Sequence, residues 1–114
     1  MITAGIGCRK GCSAAEIVAL IQSAGQPDCL AAPDFKRGEP GLLQAAASLG
    51  LTLHFVSGAD IAAAQPHCLT RSAAVERATG HASIAEAAAL AHGGTLLGPR
   101  LASANATCAL AHAP

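Results

Sequence analysis

At 114 residues the chain has the length of one domain, and with 52 % apolar and only 12 % charged residues it is too hydrophobic to be disordered. Seven basic residues balance seven acidic ones, and the aromatic side chains stop at two phenylalanines, which excludes the basic excess and stacking platforms of a nucleic-acid binder. No apolar run approaches the roughly 18 residues that span a bilayer.

The opening run Ile2 to Gly7 is short, apolar and closed by glycines, as expected of a buried strand. Ser13-Ala14-Ala15-Glu16 is a capping-box pattern, followed at helical spacing by Ile17, Val18, Leu20, Ile21 and Ala24, with Gly25 placed to end the helix. Cys29 to Ala32 predicts a second short strand, interrupted at Pro33. Pro40 suits the first turn of a helix through Leu42, Leu43, Ala46 and Leu49 that stops at Gly50; Glu39 before it favours the positive end of the helix dipole. Leu51, Leu53 and Phe55 alternate with Thr52 and His54, the period of a strand. Ser57 and Asp60 cap a helix entering at Ile61, and another runs from about Ser72 to Thr79 and stops at Gly80.

Ser83-Ile84-Ala85-Glu86 repeats the capping-box pattern before an alanine-rich helix ending near Gly93-Gly94. Thr95 to Gly98 and Ala106 to Ala111 then predict two strands closing as a hairpin around Pro99 and Asn105. Strands alternating with helices give the fold class: a single α/β domain over residues 1–114, three-layer α/β/α, with a mixed, mostly parallel sheet of about five strands and an antiparallel C-terminal hairpin. Alanine supplies much of the apolar content, so the core volume rests on the Leu, Ile and Val clusters.

The N-terminus carries its basic pair after a short apolar segment, the reverse of a signal peptide, so the expected compartment is the cytoplasm. Five cysteines are then expected as free thiols. Cys8 and Cys12 lack a companion Cys or His pair, so neither a metal nor a cofactor is expected.

The loop from Gly5 to Ser13 lies between a strand and a capped helix, where backbone N–H groups and the helix dipole favour an anion, and Arg9 and Lys10 add two cations. It misses the dinucleotide fingerprint by one residue, because Lys10 stands where the third glycine belongs. The plain alternative is a tight turn with solvated cations. The segment Asp34 to Pro40 holds Lys36 and Arg37 in an equivalent place. In a parallel sheet it emerges beside the first loop, so that four of the seven basic residues converge on one rim suited to a ligand with several carboxylates. The alternative there is loose surface pairing of Lys36 and Arg37 with Asp34 and Glu39. Arg100, in the tail turn, is placed to reach the same rim. Cys8 stands beside two cations and a helix start, a setting that lowers a thiol pKa, against the alternative of an inert cysteine at a strand end.

GIGCRKGCSAAEI, DFKRGEPGLLQAA and ATGHASIAEAAALA, in this order, resemble the CobE/CbiG C-terminal domain family of cobalamin biosynthesis. The resemblance runs over nearly the whole chain. It departs from the family pattern where Arg100 follows Pro99, a position at which lysine is common, and at Cys12. It implies work on a tetrapyrrole-derived precorrin or corrin intermediate, whose ring carries acetate and propionate side chains. The lactone-opening activity of CbiG-type hydrolases uses a further N-terminal region that a chain of this length is expected to lack.

The ligand-binding set expected is Gly7, Cys8, Arg9, Lys10, Ser13, Lys36, Glu39, Ser83 and Arg100. In the enzymatic alternative, a precorrin hydrolase or isomerase, Glu39 or Glu86 acts as general acid–base and Cys8 as nucleophile. In a third alternative the domain docks onto other cobalamin-pathway enzymes and touches no ligand.

Overall fold

A computed structural model describes residues 1–113. β1 (Ile2–Cys8) leads through the glycine loop to α1 (Ala14–Ala24), where the Ser13 hydroxyl accepts the Glu16 N–H at 3.1 Å. β2 (Cys29–Pro33) pairs parallel with β1, Thr3 opposite Cys29 and Gly5 opposite Ala31. α2 (Pro40–Leu49) has its proline in the first turn and closes at Gly50 in the left-handed conformation. β3 (Leu53–Val56) pairs parallel with the far edge of β2. Pro33 thus belongs to the strand it was expected to interrupt.

Three helices follow: α3 (Gly58–Ala64), capped by Ser57; α4 (Ala73–Thr79), capped by Ser72; and α5 (Ala85–Leu90). α5 ends three residues before the glycine pair at which it was expected to stop. No helix among the described residues is long and apolar enough to cross a membrane.

The tail holds three strands, β4 (Thr95–Leu96), β5 (Leu101–Ala102) and β6 (Ala106–His112), where two were expected. β6 runs antiparallel to β1 along its whole length, so β4 and β5 share its other edge. Pro99 lies in the gap between them, since it has no N–H to give to the ladder. The order β3-β2-β1-β6-β4 therefore joins a parallel half to an antiparallel half, in the mixed α/β class expected.

Alternation along the strands builds two cores. Ala4, Ile6, Leu30 and Ala32 face Ile17, Leu20, Ile21, Leu42 and Ala45 of α1 and α2. Ala31 and Val56 face Ile61 of α3 and Ile84, Ala87 and Ala88 at the start and along the length of α5. The large aliphatic side chains fill the first core as expected, but α5 buries four alanines beside Glu86, and these small side chains bring its backbone against β1. Gly5 permits this contact: a Cβ there would lie 1.9 Å from the Ala85 carbonyl oxygen.

Replacing Gly5 by alanine is therefore expected to destabilise the fold by about 3 kcal/mol, the upper range for overpacking. Gly38→Ala, where a Cβ meets nothing within 4 Å, is expected to stay within about 0.5 kcal/mol of the parent. Urea denaturation of both variants checks the pair.

Candidate functional site: a cationic cleft beside the ends of β1 and β2

Parallel pairing brings the loops after β1 and β2 out on the same edge of the sheet. β6 runs the other way, so its start joins them: Cys8 pairs with Ala106, and the Arg9 N–H donates to the Asn105 carbonyl at 2.8 Å. Between these loops and α4 opens a cleft of about 720 Å³. Arg9, Lys10, Lys36 and Arg100 line it, four of the seven basic residues, and among the described residues none of the seven acidic ones does. Its apolar lining comes from Pro33, Phe35, Ile84 and the Ala74, Val75 and Ala78 face of α4.

Gly7, Cys8, Arg9, Lys10, Lys36 and Arg100 thus come together around one cavity, whereas Ser13, Glu39, Ser83 and Glu86 do not line it. Glu39 is only 8 % exposed, and its Oε1 accepts the Gly11 N–H at 2.9 Å, tying the start of α2 to the loop after β1. Gly41 completes the junction, because a Cβ there would lie 2.0 Å from the Cys12 carbonyl oxygen. Ser13 serves as a helix cap. Its capping box is half made: the Glu16 carboxylate does not return to the Ser13 backbone but crosses to the β5–β6 turn, accepting from the Ser103 hydroxyl, the Asn105 N–H at 2.7 Å and Asn105 Nδ2 at 3.0 Å.

For Arg37 the alternative of surface pairing holds, and it does not join the rim. It pairs with Asp34, Nε donating at 3.1 Å, and its guanidinium lies 4.6 Å over the Phe55 ring. Arg100, from the tail, takes the fourth cationic place. Sequence reasoning missed Phe35, 56 % exposed at the cleft, and the small-residue face of α4. The only signal for Phe35 was an apolar residue set inside a charged loop segment.

The family model described as cobalamin synthesis G C-terminus matches residues 2–111. The chain belongs to this family. Among solved structures it is similar to CobE, a protein from the cobalamin (vitamin B12) biosynthetic pathway, at 40 % identity and a TM-score of 0.92, covering 100 % of this chain and 91 % of that one. It is also similar to the cobalamin biosynthesis protein chiG from Agrobacterium tumefaciens str. C58, at 35 % identity and a TM-score of 0.77, covering 97 % of each chain. No curated protein matches the chain.

Within this CobE-like fold, one local expectation is corrected and one choice between readings is decided. Ser83-Ile84-Ala85-Glu86 is not a capping box: Ile84 holds the cap position without a side-chain bond, and Ser83 Oγ donates to Glu86 Oε1 at 3.2 Å. Glu86 is fully buried, and its carboxylate is taken up by other donors. Oε1 accepts the N–H groups of Leu69 (2.9 Å) and Thr70 (2.7 Å), and Oε2 accepts the Thr70 hydroxyl and the Arg100 N–H, each at 3.0 Å. Of the two readings of Cys8, the cysteine at a strand end holds: its thiol is pushed up to about 11, not lowered. Burial at the end of β1 is the largest cause; Lys36 opposes it, while Glu39 and Cys12 add to it. All five cysteines are free, and burial raises Cys108 to about 12.

At a pH below both values, Cys8 is expected to carry about a hundredfold less thiolate than an ordinary cysteine, the ratio set by about 11 against 9.0. Alkylation at neutral pH followed by peptide mapping checks this. Glu16 gives a pH signature. Hydrogen bonds from Ser103 first, then from the Asn105 side chain and backbone, lower its pKa from 4.5. Because the folded value is depressed, its stabilisation is fully present above about pH 4.5 and is lost as pH falls through the folded value. Glu16→Gln is therefore expected to be less stable than the parent near neutrality, with the gap closing in acid, as read by denaturation at several pH values.

Proposed function

We propose that the cleft binds a precorrin or corrin intermediate of cobalamin biosynthesis through the carboxylates on its ring. The observation that carries this reading is the segregation of charge: Arg9, Lys10, Lys36 and Arg100 face one cavity with no acidic residue among them. Arginine forks suit carboxylates bidentately and lysines add point charges, so several acidic side chains of one ring can be held at once. The apolar lining from Phe35, Pro33, Ile84 and α4 suits the ring itself, and a cleft of about 720 Å³ lies in the range of small-molecule sites.

Binding is favoured over general acid–base chemistry by the two candidate carboxylates themselves. Glu39 and Glu86 are both buried, neither lines the cleft, and both are engaged with backbone donors. Cys8 does line the cleft, but as a thiol with a raised pKa it is poorly suited to attack.

Titration of the protein with a carboxylate-bearing corrin precursor, followed by the visible absorption of the ring, tests the reading. Arg9→Gln and Lys36→Gln are each expected to weaken binding about tenfold, the value of a hydrogen bond to a charged group. Raising salt from about 0.05 M to about 0.5 M is expected to weaken it further. Equal affinity for the fully esterified ring, or no spectral change with the acid, would contradict it.

A further inference from the structure

We infer that Glu86 is a positioning residue for the cleft, holding Arg100 at a fixed place relative to the α4 wall; this rests on the binding reading above. The two sides of the cleft come from distant parts of the chain. α4 follows the segment at Leu69 and Thr70, and Arg100 lies in the break between β4 and β5. No strand pairing joins these segments. The Glu86 carboxylate does, with Leu69 and Thr70 on Oε1 and the Thr70 hydroxyl and Arg100 N–H on Oε2.

The division of donors between the two oxygens predicts what an isosteric amide does. Glutamine keeps one acceptor oxygen and replaces the other by a donor NH₂. Its favoured orientation leaves the oxygen with the two N–H groups of Leu69 and Thr70. The NH₂ then faces Oε2's partners, where the Thr70 hydroxyl can turn and accept. The Arg100 N–H cannot, since a backbone N–H only donates. Glu86→Gln therefore releases Arg100 while the α4 side keeps its backbone anchors.

The experiment combines amide hydrogen exchange with tetrapyrrole titration on the parent, Glu86→Gln, Arg100→Gln and the double variant. In the ligand-free protein, Glu86→Gln is expected to speed exchange at the Arg100 amide about tenfold, the loss of one hydrogen bond, while Leu69 and Thr70 stay protected. In titration the two single variants are expected to lose affinity by the same factor and to lessen the salt dependence alike, with the double variant losing no more than either. Additive losses, unchanged binding by folded Glu86→Gln, or equal acceleration at Leu69, Thr70 and Arg100 would overturn the inference. If the parent binds no tetrapyrrole, the binding reading fails, and the exchange pattern alone decides whether Glu86 positions Arg100. If Glu86→Gln does not fold, exchange in the parent decides: ligand is expected to protect Arg100, Leu69 and Thr70 together, and protection of Arg100 alone would overturn the coupling.

Discussion

A carboxylate buried in an alanine helix is the constraint on which the cleft depends. Removing Glu86 from water is costly unless its oxygens are fully engaged, and here five hydrogen bonds from four residues engage them. Those donors come from segments that share no strand pairing. The cost of burial is thereby offset by geometry, a fixed separation between α4 and the tail. Glu39 repeats the device on the opposite side, entering the first turn of α2 yet accepting from Gly11 of the neighbouring loop.

The same use of acids accounts for the charge of the site. The chain is neutral overall, but four of its seven acidic residues, Glu16, Asp28, Glu39 and Glu86, accept backbone N–H groups. Among the described residues the one ion pair is Asp34 with Arg37. With so many carboxylates committed to the backbone, Arg9, Lys10, Lys36 and Arg100 meet at the rim without acidic neighbours in the lining. A zero net charge conceals this separation.

What was legible in the sequence was local. Hydrophobic period and caps place the strands and helices, and Ser13 and Ser57 cap as their patterns indicate. Parallel pairing was enough to bring Arg9, Lys10 and Lys36 to one edge. What the sequence left misread or undecided has a nonlocal cause. Ser83 and Glu86 have the spacing of a capping box, but Ser83 Oγ donates to Glu86, whose other partners lie at Leu69, Thr70 and Arg100, remote in sequence. Arg37 carries the same charge as Lys36, yet Phe55 and Asp34 draw it away from the cleft. Cys8 sits beside cations in the sequence, but burial outweighs Lys36 in setting its pKa. Packing decides each of these, and packing is invisible to a window of neighbours.

A second groove, of about 620 Å³, lies between α3, the end of α5 and β4, lined by Leu69, Leu90 and Leu96 with Asp60 and His67, and it carries no arginine or lysine. The contrast makes the position of a bound ring the decisive observation. A crystal structure of the protein soaked with a carboxylate-bearing corrin precursor is expected to show the ring between Phe35 and α4, its carboxylates within hydrogen-bond distance of Arg9, Lys36 and Arg100. A ring seated in the leucine-lined groove, or bound in the cleft with its carboxylates turned to solvent, would contradict it.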